Sequence, residues 1–352
     1  MTCILCCYIS TASIMKSSMI PLQSAFIPVF SPLQSLTSAV KTSSPSTHSS
    51  FLSNTSRKST LFCKSTLSNK HSITCAVLLD DEDEYQTRNR VVNVLGNDII
   101  YDHFPARPDI PAVVYLPGFF YARSKTAKIN ALQMQCRRKN QTFLVADYSG
   151  TGRSKGDFAE GTVSRWLSEI EAVLDEVLDR SRNKVVLVGS GIGGWIMVHL
   201  AMRRPDQVVG LVGLSADPDF TEELLLPALT DEQRQTLEKD GMIDLTWGYR
   251  NYPIHKALIE DGKKMVVLNG GSNSIAVKCP VRLIQGMADE EIPTRFAFDL
   301  VDKLQSKDVN VTFVKNGDHA LELDDDFARM WYAVCDVSDR YFEFDLGSPA
   351  SG

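Results

Sequence analysis

Apolar positions along this chain fall into two patterns that predict different elements. Short apolar runs bounded by turn residues are typical of buried strands, and they occur at residues 112–116, 142–146, 184–188, 208–214, 281–285 and 309–315. Runs with helical spacing lie between them, at residues 124–139, 162–178, 294–304 and 326–341, and another helix ends at residue 203. Two further runs, 91–95 and 99–104, flank Gly96-Asn97 and predict a β-hairpin.

The alternation of strands and helices predicts the fold class. Parallel strands need crossover helices between them, so this order predicts an α/β fold with a doubly wound, mainly parallel sheet. Residues 217–278 break the alternation: they hold a polar helix at 230–239 and then Trp247, Tyr249 and Tyr252 in irregular sequence. We interpret this segment as a small helical cap inserted over the carboxyl ends of the strands, where such sheets bind ligands.

Polar and glycine-rich segments follow several strands directly. Residues 189–193, Gly-Ser-Gly-Ile-Gly, follow one strand; Asp289 and His319 lie just after the next two strands beyond the cap. A strand, a tight glycine turn and a helix form the context of the Gly-x-Ser-x-Gly nucleophile elbow, and an Asp and a His follow it in the order of a hydrolytic triad. The central residue of this elbow is Gly191, which has no side chain and cannot attack a substrate.

The chain resembles the α/β-hydrolase superfamily and, within it, the mitochondrial palmitoyl-protein thioesterases that also hydrolyse acyl glucuronides. The matching segments are Leu116-Pro117-Gly118-Phe119, residues 147–154, residues 189–195, residues 286–289 and Asp318-His319. The resemblance implies that Asp289 is the triad acid and His319 the base, without a metal or other cofactor. It also implies an oxyanion hole formed by the N–H groups of Phe119 and Ile192, and an acyl ester or thioester as the small-molecule ligand.

Gly191 at the nucleophile position leaves three hypotheses. The first is a hydrolase-family protein whose ester hydrolysis is weakened or lost, with the pocket kept for a small acyl or hydrophobic ligand. The second is an active esterase or thioesterase that uses Ser190 or a water activated by His319. We expect the Ser190 side chain to face away from His319, because neighbouring side chains on a strand point to opposite faces. The third hypothesis is a structural or partner-binding role.

The uneven distribution of charge divides the chain into two parts. Residues 1–75 contain six Lys or Arg and no Asp or Glu, and they are rich in Ser and Thr. This composition predicts a disordered organelle transit peptide, with a mature α/β-hydrolase domain over residues 76–352. Because only one of the six basic residues is Arg, we expect a chloroplast address, with the mitochondrion as the alternative.

Residues 76–352 hold 31 of the 37 basic residues and all 43 acidic residues. The resulting negative charge argues against nucleic acid as a partner, and no apolar run of about 20 residues predicts a membrane span. Their three cysteines, Cys136, Cys279 and Cys335, show no metal or disulfide spacing.

Overall fold

A computed structural model describes residues 87–123, 126–247 and 250–345. The predicted transit peptide, its boundary at Ala76 and Tyr249 lie outside the described residues. The described strands are β1 Arg90–Val94, β2 Asn97–Phe104, β3 Ala112–Leu116, β4 Phe143–Ala146, β5 Val185–Ser190, β6 Val208–Leu214, β7 Met242–Trp247, β8 Arg250–His255, β9 Val281–Gly286 and β10 Val309–Val314. The principal α-helices are α1 Ala127–Lys139, α2 Val163–Val177, α3 Ile192–Arg203, α4 Asp231–Asp240, α5 Lys256–Gly262, α6 Arg295–Lys303 and α7 Asp324–Asp345.

One sheet contains eight of these strands, in the order β1-β2-β4-β3-β5-β6-β9-β10. The pairs β1–β2 and β2–β4 are antiparallel, and every pair from β4 to β10 is parallel. The doubly wound, mainly parallel sheet predicted from the strand and helix pattern is therefore confirmed. The parallel strands direct their carboxyl ends to one edge, so the loops after β3, β5, β6, β9 and β10 meet there.

The central strand β5 shows how the sheet buries both faces. Val185 and Leu187 pack into the apolar layer that includes α2, α3 and α6, whereas Val186 and Val188 pack into the layer that includes α1 and α7. All four side chains are fully buried. Burial of each such side chain contributes about 1.5–3 kcal/mol relative to exposure, which explains why strands of this sheet read as continuous apolar runs.

The turn between β5 and α3 depends on close contact between backbones. A Cβ atom on Gly193 would lie 2.1 Å from the carbonyl oxygen of Leu116 at the end of β3, and one on Gly189 would lie 2.5 Å from the carbonyl oxygen of Gly193. Neither position has room for a side chain. These two glycines therefore let the first turn of α3 rest directly on the neighbouring strand ends.

The segment between β6 and β9 forms a cap with its own small apolar core. It contains a π-helical turn at Thr221–Leu225, an α-helical turn at Leu226–Ala228, α4, an antiparallel hairpin of β7 and β8, and α5. Leu237 of α4, Ile243 of β7 and Ile254 of β8 are buried against one another. The expectation of irregular sequence around Trp247 and Tyr252 was wrong, because both residues lie in the hairpin.

The missed hairpin has a physical explanation in the pattern of β7. Ile243 and Leu245 are buried, and the residues that alternate with them, Met242, Asp244 and Thr246, are exposed. This period of two is the pattern of a half-buried strand, but it extends over only six residues in a polar segment. No long apolar run marks it in the sequence.

Two other expectations concern the membrane and the cysteines. None of the described helices is both long and apolar enough to cross a membrane. Cys136, Cys279 and Cys335 are free thiols. Burial raises the pKa of Cys279 to about 12 and that of Cys136 still further, so both remain protonated and unreactive at neutral pH.

The Gly193→Ala variant tests the backbone contact under the elbow. We expect its free energy of unfolding to fall by at least about 1–3 kcal/mol, because the new methyl group would overlap the Leu116 carbonyl. Gly271→Ala is the matched control: a Cβ there meets nothing within 4 Å, so its stability should stay within about 0.5 kcal/mol of the unmodified protein. Denaturant unfolding measures both, and equal stabilities would contradict the contact.

Candidate active site

The backbone at Gly191 has the form of a nucleophile elbow. Gly191 lies between β5 and α3 with φ 52° and ψ −126°, a conformation that favours glycine, and its N–H donates to the carbonyl oxygen of Leu214 at 3.1 Å. Unlike its neighbouring glycines, it has space beside it. A Cβ would lie 3.7 Å from Asp217 Oδ2, 3.8 Å from the Cα of Gly118 and 3.8 Å from His319 Nε2, which are ordinary van der Waals distances.

Asp289 and His319, which follow β9 and β10, are held together at this edge of the sheet. His319 Nδ1 lies 3.1 Å from Asp289 Oδ2, so the carboxylate accepts the Nδ1 hydrogen. Asp289 is itself fixed, because its Oδ1 accepts from the backbone N–H groups of Glu291 and Ile292 at 2.9 and 2.8 Å. The other ring nitrogen, Nε2, therefore faces Gly191. Gly191 has no hydroxyl group that this nitrogen could deprotonate.

The charge of Asp289 is maintained despite its burial. Burial alone would raise the pKa of this carboxyl group, but the hydrogen bond and charge of His319 and the two backbone donors outweigh it and hold the pKa below its usual value. An ionised Asp289 fixes the His319 tautomer and would balance an imidazolium charge.

A cavity with an empty volume of about 770 Å³, including the part open to solvent, lies between this edge and the cap. It is lined by Gly191 and His319, by the two residues predicted for the oxyanion hole, Phe119 and Ile192, and by apolar side chains of the cap. Ile192 is the first residue of α3, so its N–H has no acceptor within the helix. The described residues contain no group of three or more His, Cys, Asp or Glu side chains able to hold a metal ion.

Phe119 joins the loop after β3 to both the sheet-covering helices and the cap. Its ring centroid lies 5.3 Å from that of Phe158, 6.1 Å from Trp166, 6.0 Å from Phe220 and 5.7 Å from Tyr252. Tyr252 belongs to the cap hairpin, and Trp166 to α2. These contacts at 5–6 Å are in the range of favourable aromatic pairs and fix the backbone of the loop.

Comparison with known proteins gives the family. No family model matches the chain. Palmitoyl-protein thioesterase ABHD10, mitochondrial, of Bos taurus is 30% identical over 254 residues, which cover 67% of this chain and 80% of that protein. The chain belongs to the α/β-hydrolase superfamily. Within it, the chain falls in the group that contains the ABHD10 thioesterases, as its motifs predict.

Solved structures agree with this assignment. A putative hydrolase from Agrobacterium vitis S4 is 34% identical, covers 70% of this chain and 96% of its own, and has a TM-score of 0.65. Alpha/beta hydrolase domain-containing protein 10 from mouse is 29% identical, covers 72% of this chain and 98% of its own, and also has a TM-score of 0.65. The α/β-hydrolase fold therefore extends over nearly the full length of both relatives.

Asp217, after β6, borders this site and was not predicted from the sequence. Its Oδ2 lies 3.7 Å from the position of a Cβ on Gly191, and its Oδ1 is buried without a hydrogen-bond partner among the described residues. Burial, together with the negative charges of Asp289 and Glu291, raises the pKa of Asp217 well above its usual value. The side chain therefore favours the neutral, protonated form beside the elbow.

Glu291 was also missed, and it connects the cap to the base. Its Oε2 accepts the hydroxyl hydrogen of Tyr252 at 3.0 Å and lies 3.8 Å from His319 Nε2. Its carbonyl oxygen accepts the indole N–H of Trp247 at 3.0 Å. Glu291 thus faces Nε2 of His319 and is held by both strands of the cap hairpin.

The neighbourhood of Ser190 differs from that of a triad serine. Its Oγ accepts from Lys128 Nζ of α1 at 3.2 Å, and the same Nζ donates to the carbonyl oxygen of Ala320 at 2.6 Å. Among the described residues, Ser190 makes no hydrogen bond with His319. Lys128 was not recognised in the sequence because a lysine in an amphipathic helix is ordinarily exposed.

The pH dependence of stability tests the state of Asp217. Above the usual Asp pKa of 3.8 the unfolded chain loses this proton before the folded protein does, so the contribution of Asp217 to stability should fall as pH rises. We expect Asp217→Asn to remove this dependence, which should make the variant more stable relative to the unmodified protein at pH 8 than at pH 4.

Denaturant unfolding across this pH range provides the measurement. Asp244→Asn, at an exposed position of β7, is the control for removal of one carboxylate outside the site. A constant stability difference between Asp217→Asn and the unmodified protein would show that Asp217 is not held neutral.

Proposed function

We propose that this protein binds a small acyl ester, thioester or related hydrophobic ligand in the cavity, and that its own triad-type hydrolysis is weakened or lost. Gly191 beside an ordered Asp289–His319 pair is the observation that carries this proposal. Hydrolysis by a triad needs an oxygen nucleophile that His319 can deprotonate. The elbow supplies none.

The magnitude of the expected loss can be taken from other hydrolases. Removal of a triad nucleophile lowers kcat by about 10⁶-fold, while an oxyanion hole and substrate binding retain about 10³-fold catalysis over water. The N–H groups of Phe119 and Ile192 are our candidates for those donors. A protein of this kind would keep a carbonyl-binding pocket and lose rapid turnover.

Glycine at position 191 also has a conformational advantage. A non-glycine residue held in such an unfavourable backbone region costs about 1–3 kcal/mol. Gly191, at φ 52°, avoids this cost. Without selection for nucleophilic attack, glycine would therefore be the more stable residue at the elbow.

A second candidate function is direct hydrolysis through a water activated by His319. The observation that favours it is the free space beside Gly191, which His319 Nε2 and Asp217 Oδ2 both face. Ser190 is a weaker nucleophile candidate because its hydroxyl is engaged by Lys128 on the side of α1. A Ser190 attack would need Lys128, rather than His319, as the base.

We retain the organelle address of residues 1–75 as part of the proposal. Their composition favours a chloroplast, whereas the name of the Bos taurus relative assigns that protein to mitochondria and supports the alternative. The acidic charge of residues 76–352 supports a small molecule, rather than nucleic acid, as the ligand.

Restoration of the serine tests the proposed loss of hydrolysis. We expect Gly191→Ser to hydrolyse p-nitrophenyl acyl esters at a rate at least about 10²–10³ times that of the unmodified protein, because the new side chain would project beside His319 Nε2. The stability cost should be about 1–3 kcal/mol from the backbone strain. Gly191→Ala, which adds the strain without the hydroxyl, is the matched control.

A fluorophosphonate probe separates the alternatives in the same proteins. It should label Gly191→Ser at residue 191 and leave the unmodified protein unlabelled; labelling of the unmodified protein at Ser190 would refute the proposal. If the unmodified protein shows weak hydrolysis that His319→Ala abolishes, hydrolysis by a water that His319 activates replaces the proposed loss of activity. A folded but inert Gly191→Ser would mean that the remaining site is not aligned for catalysis.

Import assays test the address independently. We expect residues 1–75, fused to a green fluorescent reporter, to be taken up and cleaved by isolated chloroplasts. The reporter alone and a fusion of residues 76–352 are the controls and should stay outside. Uptake by mitochondria alone would assign the alternative organelle, and uptake by neither would contradict a transit peptide.

A further inference from the structure

Lys128 is a buried cation in the wall of the cavity. Its side chain extends from α1, only 6% of the residue is exposed, and it lines the cavity together with Ser190 and Ala320. Nζ donates to two neutral oxygens, Ser190 Oγ at 3.2 Å and the Ala320 carbonyl at 2.6 Å. An ammonium group has three hydrogens to donate, so one donor remains beyond these two bonds.

This cation lacks a close counterion within the described part of the chain. No described carboxylate lies within ion-pair distance of Nζ; Glu322, Asp318 and Asp326 act on it only from farther away. Burial lowers the pKa of Lys128 to about 8, so the ammonium form still dominates at pH 7. A buried charge held mainly by neutral groups is costly, and an anion placed beside it recovers part of that cost.

The other polar groups of the cavity do not neutralise Lys128. Asp217 favours its neutral form, the carboxylate of Glu291 accepts from Tyr252, and that of Asp289 accepts from His319. Asp289 and Glu291 are thus placed around His319 rather than beside Lys128. Lys128 extends from α1 and contacts Ser190 and Ala320 instead of these acidic residues.

The contacts of Lys128 fix its place relative to the reaction centre. Ser190 immediately precedes Gly191, and Ala320 immediately follows His319. Nζ is thus bonded to the neighbours in sequence of both the elbow residue and the base. A negatively charged oxygen that binds Lys128 would lie in the part of the cavity that Ser190 and Ala320 line.

The remaining lining of the cavity is suited to an apolar body. Phe119 and Phe220 contribute rings from the loops after β3 and β6, and Leu245, Trp247 and Tyr252 line it from the cap hairpin. Apolar walls with a few convergent polar groups are typical of small-molecule sites.

We propose that the cavity selects a hydrophobic monocarboxylate, with the carboxylate bound by Lys128 beside the elbow and the apolar body held by the aromatic side chains of the cap. This inference rests on the proposed binding function and specifies its ligand class as the free acid. A carboxylate is also the acyl product of ester hydrolysis. A pocket of this family that no longer hydrolyses esters would therefore still bind the free acid. The charge-assisted hydrogen bond from Lys128 would supply the preference for the ionised acid.

Calorimetric titration with two matched probes tests this proposal. At pH 7, 3-phenylpropanoate should bind the unmodified protein at least about tenfold more tightly than 3-phenylpropanamide, which has the same shape without the charge. Lys128→Met keeps the length of the side chain and removes the charge. It should weaken 3-phenylpropanoate at least about tenfold and leave the amide within about twofold. Lys139→Met, on the same helix but paired with Asp339 away from the cavity, should change neither affinity.

Each outcome bears on the proposal. Equal binding of acid and amide to the unmodified protein would overturn charge recognition while leaving a hydrophobic binding function intact. A preference for the acid that persists in Lys128→Met would show that Lys128 serves only to fasten α1 to residue 320. Failure of both probes to bind would overturn the monocarboxylate inference and count against the proposed binding function, whereas the esterase activity of Gly191→Ser tests the elbow separately.

Discussion

The close contact of α3 with the end of β3 is the constraint on which the site depends. Gly193 permits the contact because its Cα lies against the carbonyl group of Leu116, and Gly189 permits the turn that precedes it. This packing fixes the first N–H groups of α3 at the carboxyl edge of the sheet. It also fixes the unusual backbone of Gly191, so the shape of the elbow is set by its neighbours rather than by the residue at its centre.

The form of the elbow therefore does not depend on a side chain at residue 191. Backbone contacts build the elbow, and a carboxylate with two backbone donors orients His319. Neither arrangement uses an atom of residue 191 beyond its backbone. The electrostatic setting adds two groups: Asp217, whose pKa is raised by burial, borders the elbow, and Lys128 Nζ contacts Ser190 next to it.

The sequence predicts those features that depend on apolar periodicity and on the order of strands and loops. Long apolar runs such as β5 and β6 are unambiguous, and a loop that directly follows a parallel strand must lie at a known edge, which placed Asp289 and His319 near Gly191. Asp217, Glu291 and Lys128 carry no such signal. Asp217 and Glu291 read as ordinary loop acids, because their burial follows from how the cap closes over the sheet. Lys128 lies in α1, where the apolar periodicity is too weak to show which side of the helix is buried. Its contacts with Ser190 and Ala320 join residues 62 and 192 positions apart in the sequence.

Phe119 packs against both the cap and α2. Its backbone is in the loop proposed to polarise a carbonyl group, and its ring touches Phe158, Trp166, Phe220 and Tyr252. Any outward movement of the hairpin that separates Tyr252 from this ring also removes one support of that loop. The position of the cap hairpin and the support of the loop that carries the Phe119 N–H are therefore linked through this one ring.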